Sequence, residues 1–126
     1  MKDPNDGFFF GRIKSFKYAF KGLWILLTTE DSIKVQVTVG VFATIMGFYF
    51  KISTIEWMFQ LIVIGLVLMA EAANTAIEKI ANFVHPEYHK KIEVIKDVAA
   101  GIPGFAALIS LVIAGIIYIP KIIALF

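Results

Sequence analysis

Residues 55–84 read IEWMFQLIVIGLVLMAEAANTAIEKIANFV, and this stretch decides the fold. From Ile55 to Ala70 it is an almost uninterrupted apolar run with one acid near its start. It then passes without a turn signal into Glu71-Ala-Ala-Asn74-Thr-Ala-Ile-Glu78. As one helix of about 1.5 Å rise per residue it measures about 45 Å, longer than a hydrocarbon core of about 30 Å. Its last turns must therefore emerge from the bilayer. At about 100° per residue, Glu71 and Glu78 fall within roughly 20° of each other, with Asn74 about 60° away. One face presents two carboxylates and a neutral amide. Acids within a membrane helix cost about 2.5–3.5 kcal/mol near the bilayer centre and mark functional pathways. A face of this kind suits a metal ion, a proton or a hydroxyl.

The rest of the chain agrees with a membrane solvent. It has 126 residues, the length of one small domain, and 59% of them are hydrophobic, too many for a soluble fold of this size. Cysteine is absent, which excludes disulfides and thiolate metal sites. The first 34 residues carry six basic side chains interleaved with aromatics, without the clean apolar core of a signal peptide, so the segment is expected to be retained.

The order of segments follows from composition. Residues 1–7 are polar and turn-prone, and fraying is expected there. Residues 8–29 mix Arg12, Lys14, Lys17 and Lys21 with Phe8, Phe9, Phe10, Ile13, Phe16, Phe20 and Trp24, the make-up of an amphipathic helix lying on a membrane surface. Residues 33–50 form the first span, 55–84 the second and 93–119 the third, all in one membrane domain covering 1–126. Pro86 biases His85 away from helix and ends the second span. Pro103, flanked by Gly101 and Gly104, is expected to kink the third. The fold class is all-α and integral to the membrane. Alanines and glycines crowd the second and third spans, which lets helices approach closely. Three short spans leave much surface uncovered, which argues for a homo-oligomer.

Charge placement sets the orientation. Ten of the twelve Lys and Arg residues precede the first span or lie between Lys79 and Lys96, leaving Lys51 and Lys121 on the other side. The positive-inside rule puts the N-terminus, the 85–96 loop and the acidic end of the second span in the cytoplasm. A soluble nucleotide would reach that end.

Other readings of these residues compete. The Glu71–Glu78 face is also compatible with a polar packing seam, or with ion conduction in a small transporter or channel. Asp97 near a helix start, and Glu30-Asp31 before the first span, are each compatible with simple capping. The basic aromatic segment is formally compatible with nucleic-acid binding, but no nucleic-acid module occurs and no nucleic-acid partner is expected. His85, Glu87 and His89 make a weak metal motif in a solvated loop. No Walker or dinucleotide glycine motif is present, so ATP chemistry here would not use a soluble kinase fold.

Taken together, Glu71-Ala-Ala-Asn74-Thr-Ala-Ile-Glu78, Pro86-Glu87-Tyr88-His89 and Lys96-Asp97-Val-Ala-Ala-Gly101 resemble the signature of the prokaryotic diacylglycerol kinases, which include undecaprenol kinases. Lys14 to Leu23, followed by Glu30, resembles the surface helix and acid of that family. The resemblance spans roughly residues 8–119. It implies a homotrimer in the bacterial inner membrane, with the active site at the cytoplasmic face and shared between neighbouring chains. It implies transfer of the γ-phosphoryl group of ATP, with Mg²⁺, to the hydroxyl of diacylglycerol to give phosphatidic acid, with undecaprenol as the alternative acceptor. Glu71 would be the general base and Asn74 would hold the hydroxyl or the phosphate. Glu30 and Glu78 would hold the metal on the triphosphate. Lys96 and Asp97 would contact phosphate and base or ribose, and His89 would line the nucleotide pocket. Three places depart from the family pattern: Asn82 stands where an acid is usual, Ile102-Pro103-Gly104 replaces a plainer apolar run, and Arg12 matches an early arginine only approximately.

Overall fold

The computed structural model describes residues 3–126. Among them the regular elements are helices: α1 (Phe8–Thr29), α2 (Asp31–Tyr49), α3 (Thr54–Val84) and α4 (Lys90–Ile123). Helices α2, α3 and α4 are long and apolar enough to cross a membrane. The expected order of one N-terminal helix and three spans is what the chain adopts.

The helix ends show why the elements stop where they do. Residues 3–7 form a turn rather than a frayed lead: Asp6 N–H donates to the Asp3 carbonyl at 3.1 Å, and the Lys14 ammonium pairs with Asp6 Oδ2 at 2.8 Å. α1 passes into α2 through the single extended residue Glu30, so the helix that carries the first expected span starts at Asp31. α2 ends against Lys51, whose φ of 52° is left-handed and turns the chain sharply. Ser53 then opens α3 with a reciprocal capping box to Glu56. As Pro86 foretold, α3 stops at His85, which leaves the helical region with φ −148° and ψ 85°.

The helix that carries the third expected span extends beyond residues 93–119 at both ends. α4 begins at Lys90, not residue 93, because His89 Nδ1 accepts from the Lys91 N–H at 3.0 Å and so serves as its cap. At the far end α4 runs on through Pro120, and the Lys121 ammonium donates to the Ile117 carbonyl at 3.1 Å. Pro103 likewise lies inside an unbroken helix.

Small residues build the tightest seam. α3 and α4 pack along most of their length, α2 leans on α3, and α1 touches α2 only weakly. Ala70, Ala81, Ala99 and Ala106 are buried, and Val67, Ala70 and Ala106 form one cluster between α3 and α4. Methyl-sized side chains let these backbones approach, as in other membrane helix pairs. Near the Lys51 turn a second cluster joins Ile52, Ile117 and Tyr118 with Phe50, Trp57 and Ile113. Gly47 fits closely there, since a Cβ would sit 2.6 Å from Trp57 Cη2 and force the indole or α2 to shift. Tyr118 donates its hydroxyl proton to Gln60 Oε1 and lies 3.2 Å from the Ala43 carbonyl, to which Gln60 Nε2 donates at 3.0 Å, and this knot ties α2, α3 and α4 together. Above this knot an apolar cavity of about 310 Å³ opens between the three helices, lined by Gly40, Ala43, Ile64, Val67, Ala107 and Leu111 among others. At the turn end, Lys121 pairs with Glu56 at 2.6 Å.

Candidate active site

The three polar residues of α3 keep the arrangement that helical spacing dictates. Glu71, Asn74 and Glu78 are all half-buried, and Thr75 between them is buried. Glu71 lies about two turns from Glu78, nearer the apolar run. Asn74 Oδ1 is buried and has no hydrogen-bond partner among the described residues. A buried carbonyl oxygen left unpaired costs about 1–3 kcal/mol, so a hydrogen-bond donor placed here would be stabilised. A hydroxyl is such a donor, whereas a bare phosphate oxygen is not.

Further along α3 the acids and lysines of other helices converge. Glu30, at the joint of α1 and α2, reaches the Lys79 ammonium at 3.2 Å. That contact sets the Glu30 carboxylate beside the turn that carries Glu78. One turn beyond, Asn82 Oδ1 accepts from the Lys96 ammonium of α4 at 2.5 Å. Glu30, Glu78 and Lys96 are thereby gathered at one end of the bundle, where α3 and α4 leave the span.

Two expected residues stand apart from this group. Asp97 is exposed beside Lys96 and makes no side-chain hydrogen bond among the described residues. His89 is occupied as the cap of α4, and its ring stacks edge-on against His85 with centroids 5.4 Å apart. The intervening loop is held by Tyr88, whose hydroxyl donates to Glu93 Oε2 at 2.7 Å. That bond raises the phenol above its ordinary pKa, because the neutral hydroxyl is the form the carboxylate holds.

Among the described residues no three His, Asp or Glu side chains converge closely enough to form a metal shell by themselves. Glu30 and Glu78 nevertheless supply hard oxygen ligands from adjacent elements, the donor type that Mg²⁺ takes together with substrate phosphates. These two residues fit a metal that is completed by its nucleotide.

Lys79 and Asn82 carry contacts that sequence reasoning did not assign. Lys79 counted only toward the cytoplasmic charge, and Asn82 only as a departure from a pattern. Their positions offered a signal, since both lie on the last turns of the helix that carries the acids.

Three membrane-length helices with a carboxylate–amide–carboxylate face and a lysine steered from a neighbouring helix define a membrane enzyme class rather than a soluble one. The profile of the family described as prokaryotic diacylglycerol kinase matches residues 17–118. The undecaprenol kinase of Bacillus subtilis (strain 168) is 34% identical over 108 residues, covering 86% of this chain and 88% of that protein. The diacylglycerol kinase of Synechocystis sp. (strain ATCC 27184 / PCC 6803 / Kazusa) is 26% identical over 112 residues, covering 88% of this chain and 64% of that protein. The chain belongs to the prokaryotic diacylglycerol kinase family. Its activity is that of a membrane kinase acting on a lipid alcohol.

Proposed function

We propose that this enzyme phosphorylates a polyprenol of the undecaprenol type, using ATP as donor and Mg²⁺ on the triphosphate. The observation that carries the choice of acceptor is the 34% identity to an undecaprenol kinase over most of both chains. Diacylglycerol, the acceptor ranked first from sequence, becomes the second reading, supported by the more distant relative.

The residues divide the work by depth. The acceptor hydroxyl sits in the span with its one proton directed at the Glu71 carboxylate and its oxygen beside the Asn74 amide, whose buried Oδ1 has no partner among the described residues. Its tail runs toward the apolar cavity between α2, α3 and α4, whose wall includes Val67, one turn from Glu71. The triphosphate approaches from the open end, where Lys96 meets phosphate and Asp97 and His89 flank the nucleoside. Glu30 and Glu78 would hold the metal, which when bound would supply charge neutralisation at the phosphates. The hydroxyl oxygen forms a bond to the γ-phosphorus while the bond to the bridging oxygen of ADP breaks. The hydroxyl proton passes to the Glu71 carboxylate. Positioning and charge neutralisation dominate such a transfer, and a base adds about 10²–10⁴-fold.

The remaining features of this reading are a homotrimer in the bacterial inner membrane, α1 on the cytoplasmic surface and a site completed by a neighbouring chain. The exposed face of α1 supports its part. Lys14, Lys17 and Lys21 fall within about 60° on the helix, with Phe10 among them, and Phe8, Phe9, Phe16 and Phe20 are exposed on the other side together with Arg12. The deciding experiment supplies labelled ATP to the purified protein with undecaprenol, shorter polyprenols and diacylglycerol in mixed micelles. Preferential labelling of the polyprenol is expected. Labelling of diacylglycerol at higher kcat/KM would reverse the assignment, and labelling of neither would remove it.

A further inference from the structure

Lys79 makes a contact that the lipid-kinase reading leaves unused. Its ammonium lies 3.2 Å from Glu30 Oε1, on a side chain 62% exposed, whereas the Glu30 side chain is only 24% exposed. A sheltered acid thus holds a cation that water reaches freely. Two other lysines at this end have different partners: Lys34 pairs with Asp31 at 3.9 Å, and Lys96 binds the neutral amide of Asn82. Lys79 is the one of these three that occupies a carboxylate assigned to the metal.

An exposed ammonium–carboxylate pair is a weak contact and exchanges readily. A divalent cation seeks the same hard oxygen and carries twice the charge. Once displaced, the ammonium remains tethered to the residue next to Glu78. The nearest new anions are then the phosphate oxygens that arrive with the metal.

We propose that Lys79 is an exchangeable counter-ion. It neutralises Glu30 in the nucleotide-free enzyme, gives that oxygen up to the divalent cation, and moves onto the phosphate oxygens of the metal–nucleotide complex. No covalent bond changes: one ammonium–carboxylate contact is replaced by a metal–carboxylate and an ammonium–phosphate contact. The inference rests on the lipid-kinase reading through its assignment of Glu30 to the metal.

It has a consequence of opposite sign for two ligands. Removing the ammonium removes a competitor of free metal ions, and it also removes a ligand of the metal–nucleotide complex. A residue that only braces the fold would not move the two affinities apart.

The test uses the full-length enzyme in detergent micelles, without lipid alcohol. Mn²⁺ binding is followed by electron paramagnetic resonance, first alone and then with a non-hydrolysable ATP analogue. Lys79→Met is expected to tighten binding of free Mn²⁺ by about two- to fivefold, the scale of an exposed ion pair. The same variant is expected to weaken the Mn²⁺–nucleotide complex by about tenfold, the scale of a hydrogen bond to a charged group. Lys79→Arg should stay near wild type, and Lys34→Met, which removes a nearby charge without touching Glu30, should change neither affinity more than about twofold. The inference is overturned if Lys79→Met shifts both affinities in one direction, shifts neither, or is matched by Lys34→Met. Glu30→Gln separates the two levels of failure. If it leaves Mn²⁺ binding intact, the metal assignment falls and the inference with it. If it weakens Mn²⁺ binding while Lys79→Met does nothing, only the inference falls.

Discussion

The Lys96 ammonium of α4 is steered by the side-chain oxygen of Asn82 on α3, at 2.5 Å. The acceptor is a neutral amide, so it fixes the direction of the lysine without cancelling its charge. An aspartate at the same place would hold the ammonium harder and cancel its charge.

Removing that acceptor should loosen the lysine without touching the acceptor lipid. Asn82→Ala is expected to raise KM for ATP about three- to tenfold, the range of a partly solvated hydrogen bond, with kcat changed less than about twofold. Steady-state kinetics over ATP concentration at saturating lipid alcohol check this. An unchanged KM would mean that the contact does not serve the nucleotide.

Glu71 and Glu78 should fail in different ways although they share a face. Glu71→Gln is expected to lower kcat by about 10²–10⁴-fold while nucleotide affinity stays within about twofold. Glu78→Gln should weaken Mg-nucleotide binding as well as transfer. Single-turnover rates paired with nucleotide titrations separate the two. A collapse of nucleotide affinity in Glu71→Gln, with kcat at saturation preserved, would move that residue out of the base role.

The bundle should present its two ends to opposite compartments. Lys51 and the Lys121–Glu56 pair lie at one end, and the 85–89 loop with its flanking lysines lies at the other. The chain has no cysteine, so single cysteines at Ser53 and Tyr88 act as clean probes. An impermeant maleimide added to intact cells should label Ser53→Cys and spare Tyr88→Cys until the membrane is opened. Labelling of position 88 alone would invert the assigned orientation.

Gly47 should tolerate no side chain. The added methyl of Gly47→Ala would meet Trp57 at 2.6 and 2.8 Å and Ile52 at 3.1 Å, forcing α2 away from the start of α3. Overpacking of this kind costs about 1–3 kcal/mol. A lower midpoint of thermal inactivation in detergent, partly restored by Trp57→Phe, is the expected result.

The parts of the molecule that follow a local rule were legible in its sequence. The α3 face could be read because two acids on an apolar helix are conspicuous and helical geometry fixes their spacing. The stop at His85 could be read because Pro86 constrains the residue before it. The start of α4 could not, because an imidazole is an uncommon cap and the Lys91 N–H that it accepts becomes visible only once the loop is folded. The persistence of α4 past Pro120 was also hidden, since proline reads as an end in most contexts. Lys79 and Asn82 were missed for a different reason. Their partners, Glu30 and Lys96, come from other helices, and no period within α3 announces them.

Glu71 sits within α3, directly after the apolar run and 13 residues before the helix ends at Val84, so only the turns beyond it are free to emerge from the bilayer. An acceptor whose hydroxyl reaches that depth arrives by lateral diffusion in the bilayer, not from the aqueous phase. The enzyme therefore senses its lipid as a mole fraction. Diluting the acceptor with inert phospholipid should slow turnover in proportion, while enlarging the water volume around the same vesicles should leave it unchanged. Its solvent is also its reservoir, so membrane composition acts on it as a concentration.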